Sequence, residues 1–101
     1  MKNIIKRDGS VVAFEADKIE NAIAKAFIST SEIPARDISA MARAVELIVE
    51  AELNTKSKDS ATVEEIQDVV EKTLMKVGYQ NTAKAYILYR KKKEKVRQAE
   101  N

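Results

Sequence analysis

A chain of 101 residues, with 45% hydrophobic and 34% charged residues, has the size and composition of one soluble, helix-rich domain. It contains neither Cys nor His, which excludes disulfides, thiolate nucleophiles, the common zinc and iron ligands and the commonest general acid–base group. A net charge of +2 does not indicate a nucleic-acid binder, and no apolar run is long enough to cross a membrane, so a cytoplasmic protein is expected.

The first predicted element is a β-hairpin within residues 2–14. Two β-prone runs, Ile4-Ile5 and residues 11–14, flank the sequence Lys6-Arg7-Asp8-Gly9. Asp-Gly is a strong signal for a two-residue type I′ turn, so that turn is predicted here. Because an isolated hairpin is only marginally stable in water, we expect it to pack on the rest of the chain.

Four helices are predicted after the hairpin. The first runs from about Ala16 to Ser29 and is followed by a loop, and the second begins at Arg36 or Asp37. Residues 54–60 are polar and are predicted as a second loop. Apolar residues recur at helical spacing along these two helices, namely at Ile19, Ala22, Ile23, Ala26, Phe27, Ile38, Met41, Val45, Ile48, Val49 and Leu53.

The third helix begins with a capping box, Thr62-Val63-Glu64-Glu65, and stops at Gly78, the usual left-handed terminator. The fourth begins near Asn81 or Thr82. The apolar residues of this pair are Ile66, Val69, Val70, Leu74, Val77, Ala83, Tyr86, Ile87 and Leu88.

The end of the chain is predicted to be an exposed basic helix. Residues 90–97 hold one apolar residue in eight and cannot form a core on any face. We therefore expect a domain over residues 1–93, with the hairpin at 2–14 and the helical bundle at 16–92. Residues 94–101 are then a protruding tail or the start of a linker.

Candidate functional residues are few. Lys6 and Arg7 are held beside a tight turn, where positioned cations suit a phosphate, although a basic pair at a turn is more often solvated surface. Lys18 near the start of the first helix could join them, and Thr62 is an N-cap at a helix end that can bind anions. The two glycines, at 9 and 78, cannot form a Walker-type loop. No nucleophile–base pair is present, so the residues indicate a binding module rather than an enzyme.

Five segments together resemble the ATP-cone domain, the small regulatory module at the N-terminus of many ribonucleotide reductase large subunits. Each motif is weak alone, but their order and spacing match from residue 3 to about 92. They are Ile5-Lys6-Arg7-Asp8-Gly9, the strand at 11–14, Asp17-Lys18-Ile19 with Ala22-Ile23, the segment 62–71 and the segment 83–90.

The resemblance implies a mainly α fold, a four-helix bundle capped by an N-terminal β-hairpin, with ATP or dATP bound between the hairpin lid and the helix ends. It implies that Lys6 and Arg7 contact the phosphates, with help from Lys18. Lys91 falls where the family often places another phosphate-binding lysine, and Thr62 lies near a threonine used at the nucleotide site. Mg²⁺ is a candidate companion of the nucleotide, and no metal site of the protein's own is expected.

Val12 and Glu15 occupy positions that often help to recognise adenine and ribose in the family. Val12 departs from the polar residue that some members carry, so the base contacts expected here are apolar or made by the backbone. The absence of Cys excludes the zinc ribbon of the related transcriptional repressors, and it also excludes the catalytic cysteines of a reductase from this piece.

The leading hypothesis is an allosteric sensor of ATP and dATP that controls the activity or oligomerisation of an attached reductase. Its expected partners are the nucleotide, the reductase's catalytic body and further copies of itself. Two alternatives stay open. One is a nucleotide-responsive transcriptional regulator whose basic terminal helix contacts nucleic acid, although that helix lacks the interleaved aromatic residues that stack on bases. The other is an oligomerisation domain that has lost nucleotide binding.

Overall fold

The structure is a computed structural model that describes residues 2–56 and 59–100, with side chains through residue 92. Its architecture confirms the predicted four helices and N-terminal hairpin, and adds a third strand and a short 3-10 helix. In chain order the elements are β1 (Asn3–Ile5), β2 (Val11–Ala13), α1 (Ala16–Thr30), the 3-10 helix (Ala35–Asp37), α2 (Ile38–Lys56), β3 (Ser60–Thr62), α3 (Val63–Lys76) and α4 (Gln80–Glu100).

The helices pack in a ring, in which α1 and α3 each contact both α2 and α4. Their apolar stripes meet in one core, which removes these side chains from water and supplies most of the folding free energy. Ile4 and Phe14 pack against it from the hairpin side. The buried core residues are Ile19, Ala22, Ile23, Ala26, Phe27, Ala42, Val45, Val49, Leu53, Ala61, Ile66, Val69, Val70, Leu74, Ala83 and Tyr86.

The third strand was not predicted. β3 begins at Ser60, which the sequence placed in a polar loop, and it runs parallel to β1 with Ile4 beside Ala61 and Ile5 beside Thr62. β1 is therefore the central strand, with β2 antiparallel on its other side. Of the other residues predicted in that loop, Asn54, Thr55 and Lys56 are instead the last residues of α2, and Ser57 and Lys58 lie outside the described residues. The pairing fixes the hairpin to the connection between α2 and α3.

The hairpin turn differs from the predicted type I′ turn. A type I′ turn needs positive φ at both central residues, and here only Gly9 has it, at +88°. The Gly9 N–H donates to the Lys6 carbonyl at 2.9 Å, and the Lys6 N–H donates to the Ser10 carbonyl at 2.8 Å. This pattern is that of a three-residue loop with a left-handed glycine after the turn. Asp8 accepts from both the N–H and the hydroxyl of Ser10, which lowers the pKa of its carboxyl.

Three of the apolar residues that the helical spacing picks out are exposed in the structure. Ile48 is 47% exposed, Val77 44% and Leu88 67%. The residues Ile48 and Leu88 lie on helices that bury another face, and Val77 follows the last residue of α3. In the described part of the chain, no helix is long and apolar enough to cross a membrane.

The predicted terminal helix is present, since α4 continues to Glu100. Lys91 and Lys92 are exposed as expected, but Arg90 is half-buried because its side chain contacts α3. The side chains of residues 93–97, which complete the predicted exposed segment, lie outside the described residues.

Glu46 is a carboxyl group within the core, where charged residues are rarely found unless they are paired. It is 2% exposed, and its Oε1 has no hydrogen-bond partner. Burial raises the pKa of Glu46 to about 8, with further contributions from a hydrogen bond and charge repulsion involving Glu50. Glu20 also raises this pKa, while Arg43 opposes the shift. The neutral acid is therefore the form that the fold accommodates at neutral pH.

Replacing Glu46 with Gln should remove a pH-dependent loss of stability. The pKa of Glu46 is raised from 4.5 to about 8 on folding, so the stability tied to its proton is full below pH 4.5 and is lost as the pH rises to about 8. Near pH 8 the Glu46→Gln variant should be more stable than wild type by about 3–4 kcal/mol, and this advantage should shrink to below about 1 kcal/mol towards pH 5. Urea unfolding at both pH values measures it, with Glu52→Gln as the control. An advantage that does not change with pH would contradict the assignment.

Candidate functional site

The basic turn lies at the sheet end from which α3 starts. Ile5 is the last residue of β1 and pairs with Val11 on one side and Thr62 on the other. Lys6 and Arg7 therefore leave the sheet at the level where β3 passes into α3. Two segments that are distant in sequence, the turn and the N-terminus of α3, become neighbours through this strand pairing.

Arg7 reaches the first turn of α3. Its Nε lies 2.7 Å from Oε1 of Glu64, and the two side chains are 48% and 52% exposed. An ion pair exposed to this degree contributes little stability, because water screens it and two long side chains must be ordered. Its importance is positional, because it holds the guanidinium over the start of the helix.

Thr62 is the N-cap of α3, as the capping box predicted. Its hydroxyl accepts a hydrogen bond from the Glu65 N–H at 3.1 Å. The first N–H groups of a helix have no intrahelical acceptor and carry the positive end of the helix dipole, which favours an anion nearby. Glu64 and Glu65 in the same first turn partly satisfy that preference. A ligand anion at this helix end would therefore compete with carboxylates of the protein.

Glu15 and Lys18 lie towards the other end of the sheet. β2 runs from the turn back to Ala13, which pairs with Asn3, and the chain then enters α1. Lys18 lies 2.7 Å from Glu15 in an ion pair across the first turn of α1. The two sheet ends are separated by about 7 Å along three-residue strands, given about 3.3 Å per residue. Lys18 is thus placed apart from the basic turn, along the length of the sheet.

Val12 lies between these two ends, on the edge strand. It pairs with Ile4, which pairs in turn with Ala61, so these three side chains share one face of the sheet. Ile4 and Ala61 pack in or against the core, and the shared face is therefore the one towards the helices. Val12 remains 36% exposed because β2 has a neighbour on one side only. An apolar, accessible side chain therefore lies at the border between sheet and bundle.

Lys91 lies on α4 beside a contact with α3. The Arg90 side chain donates to the side-chain oxygen of Gln67 from Nε at 3.1 Å and from Nη2 at 3.3 Å, with the amide placed so that its oxygen accepts. Gln67 is in the second turn of α3, so this contact brings α4 close to the same helix end as Arg7. Lys91 itself is exposed. No local sequence pattern indicates the contacts of Glu64 and Gln67, since both depend on which elements become neighbours in the fold.

The residues around the basic turn form an open surface, on which cationic side chains lie beside the N-terminus of α3. Two grooves, of about 320 and 460 Å³, lie elsewhere, one between α1 and α2 and one between α2 and α3. Neither includes Lys6, Arg7 or Thr62. Within the part of the chain that the structure describes, no group of three or more acidic, His or Cys residues could hold a metal ion. Cationic side chains, a helix N-terminus and an apolar edge can together bind a ligand that has both anionic and apolar parts.

Comparison with known proteins finds one protein family and relatives that are ribonucleotide reductases. A family model described as the ATP cone domain matches residues 2–95. The chain is 41% identical over 103 residues to the vitamin B12-dependent ribonucleoside-diphosphate reductase of Thermoplasma acidophilum, covering 97% of this chain and 13% of that protein. It is also 41% identical over 98 residues to the ribonucleoside-diphosphate reductase subunit alpha of Chlamydia pneumoniae, covering 93% and 9%. The anaerobic ribonucleoside-triphosphate reductase of Salmonella typhimurium is 33% identical over 88 residues. The chain thus spans about a tenth of the length of such relatives.

Proposed function

The chain belongs to the ATP-cone family, and on that basis we propose that it is an allosteric domain that binds ATP or dATP at the end of its three-stranded sheet. The observation that carries this proposal is the convergence of the Lys6-Arg7 turn with the N-terminus of α3. It is a site for anionic groups on a domain that shows no catalytic constellation in its described residues.

The triphosphate is assigned to the basic turn. Lys6 contributes a compact, mobile charge, whereas Arg7 offers a planar fork that suits phosphate oxygens. The N–H groups at the start of α3, beside Thr62, supply further donors. A domain without a glycine-rich phosphate loop has to hold a triphosphate through such charge-assisted hydrogen bonds.

The nucleoside is assigned to the edge strand β2 and to the end of the sheet away from the basic turn. Val12 offers an apolar contact for the base, and Glu15 offers carboxylate oxygens that accept from ribose hydroxyls. Lys18 and Lys91 would add charge at the periphery, one from α1 and one from α4. The separation of about 7 Å along the strands suits a nucleotide lying along the sheet. Mg²⁺ would enter with the phosphates, which provide its oxygen ligands.

Regulation follows if the two nucleotides stabilise different arrangements of the parent protein. ATP and dATP differ by one ribose hydroxyl, and a site that buries a partner for it can discriminate strongly between them. A nucleotide that binds two arrangements equally shifts nothing, so the regulatory effect must come from differential affinity. We propose that the parent is a ribonucleotide reductase and that the bound nucleotide sets its activity or its association state.

Replacing both Lys6 and Arg7 with Ala tests the assigned phosphate site. Binding of ATP and of dATP should weaken together by a few kcal/mol, given about 1.5–3 kcal/mol for each hydrogen bond to a charged group. Isothermal titration with and without Mg²⁺ measures the loss. The charge-matched control is Lys72→Ala with Lys76→Ala, at the far end of α3. Unchanged binding by the double variant, or an equal loss in the control, would place the site elsewhere.

Glu64→Gln should have the opposite effect and tighten nucleotide binding. Glu64 pairs with Arg7, so it competes with phosphate for the guanidinium. It also adds negative charge at the helix end, which repels phosphate. Removing its charge should improve the affinity for ATP by about 0.5–1 kcal/mol, the range of an exposed ion pair. Glu65→Gln is the matched control, because it removes the same charge from the same turn without involving the Arg7 partner. Weaker binding by Glu64→Gln would mean that this carboxylate is a ligand and not a competitor.

A further inference from the structure

A second apolar face runs along the outside of α2. We define the outer face of α2 as Ala40, Ala44, Leu47, Ile48 and Ala51, which are all in the exposed class. Leu47 is 52% exposed and Ile48 is 47% exposed. At 3.6 residues per turn these positions form one continuous stripe about three turns long. The stripe contains no charged residue.

This face is separate from the one that α2 contributes to the core. The core face consists of Ala42, Val45, Val49 and Leu53. A helix that only covers a core carries polar residues on its opposite side, whereas α2 carries leucine, isoleucine and alanines there. Within the described part of the chain, these residues stay exposed and no other helix covers them. Burying them against another surface would gain hydrophobic free energy that the isolated domain forgoes.

We propose that the outer face of α2 binds the same face of a second copy of this chain, with the two helices antiparallel about a two-fold axis near Leu47. Small residues lie on both sides of that leucine, Ala44 towards the N-terminus and Ala51 towards the C-terminus. In the antiparallel arrangement each Ala44 lies level with the partner's Ala51. Alanines at such layers let two helices approach closely, and a two-fold contact of this kind is self-complementary and closed.

The charges beside the stripe support this orientation. Arg43 and Glu50 lie on one edge of the outer face, two turns apart and on opposite sides of Leu47. In the antiparallel pair Arg43 meets the partner's Glu50, and the contact occurs twice by symmetry. In a parallel pair Arg43 would instead meet the opposite edge of the other helix, where Ile48 lies. Charge complementarity therefore favours a second copy in the antiparallel orientation.

Arg43 is available for such a contact. Its side chain is 71% exposed, and its approach to Glu20 within the domain is long, at 3.8 Å. The outer face lies on α2, apart from the basic turn and the start of α3. The proposed dimer contact therefore shares no residue with the proposed nucleotide site and does not depend on nucleotide binding.

The expected dimer is weak, because the contact is about one helix wide. Interfaces below about 1,200 Å² belong to weak or transient complexes, so dimers should form only at roughly tens to hundreds of micromolar. Sedimentation equilibrium of the full chain without nucleotide, from about 10 µM to about 1 mM, measures this directly. Leu47→Lys should abolish the dimer over that range. Leu88→Lys is the matched control, since Leu88 is exposed on α4 and should leave association unchanged.

A charge-swap series tests the orientation. Arg43→Glu alone should weaken association about tenfold or more, because each copy then presents like charges to the other. Combining it with Glu50→Arg should restore association, since the pairs re-form with their signs exchanged. Melting temperatures identify any variant that fails to fold. Leu47→Lys is an independent test of the interface, because Leu47 is exposed and its replacement should not affect folding. A wild-type chain that stays monomeric at about 1 mM, or a Leu47→Lys variant that dimerises like wild type, would overturn the proposal.

Discussion

The parallel pairing of β1 with β3 is the contact on which the candidate site depends. A two-stranded hairpin on its own is marginal in water, and this one contributes few core side chains beyond Ile4 and Phe14. The third strand makes β1 central and ties the hairpin to the residue that caps α3. Because Ile5 and Thr62 are neighbours, the basic turn and the helix N-terminus face the same region. A slip by one residue would turn the side chains of β3 to the opposite face and move Ala61 out of the core.

The electrostatics of that region are balanced rather than strongly positive. Lys6, Arg7 and the dipole of α3 favour an anion, while Glu64 and Glu65 oppose it. Such a balance suits a sensor better than a permanent cofactor site, because the protein's own carboxylates limit the affinity. A ligand that draws Arg7 from Glu64 also changes how the turn is held against α3. In the proposed function, that exchange of ion pairs would couple nucleotide binding to the position of the hairpin.

Much of the fold could be predicted from sequence, because helical periodicity and capping are local signals. The four helices, the N-cap at Thr62 and the terminator at Gly78 follow from patterns within one or two turns. β3 could not be predicted, since Ser-Ala-Thr carries no strand pattern and is a strand only because β1 lies beside it. Ile48 was misplaced because α2 has apolar residues on two faces, and spacing alone does not say which is buried. The roles proposed for the individual site residues remain predictions, and the Arg7–Glu64 pair depends on tertiary pairing that no local signal encodes.

The proposed ATP site lies where the basic turn meets α3. Backbone amide NMR of the labelled chain during an ATP titration tests it most directly, because it reports the location of binding as well as its occurrence. We expect the largest shift changes in residues 6–12 and 60–65, with little change in the grooves beside α2. Shift changes confined to those grooves, or none at millimolar ATP, would show that ATP does not bind at the basic turn.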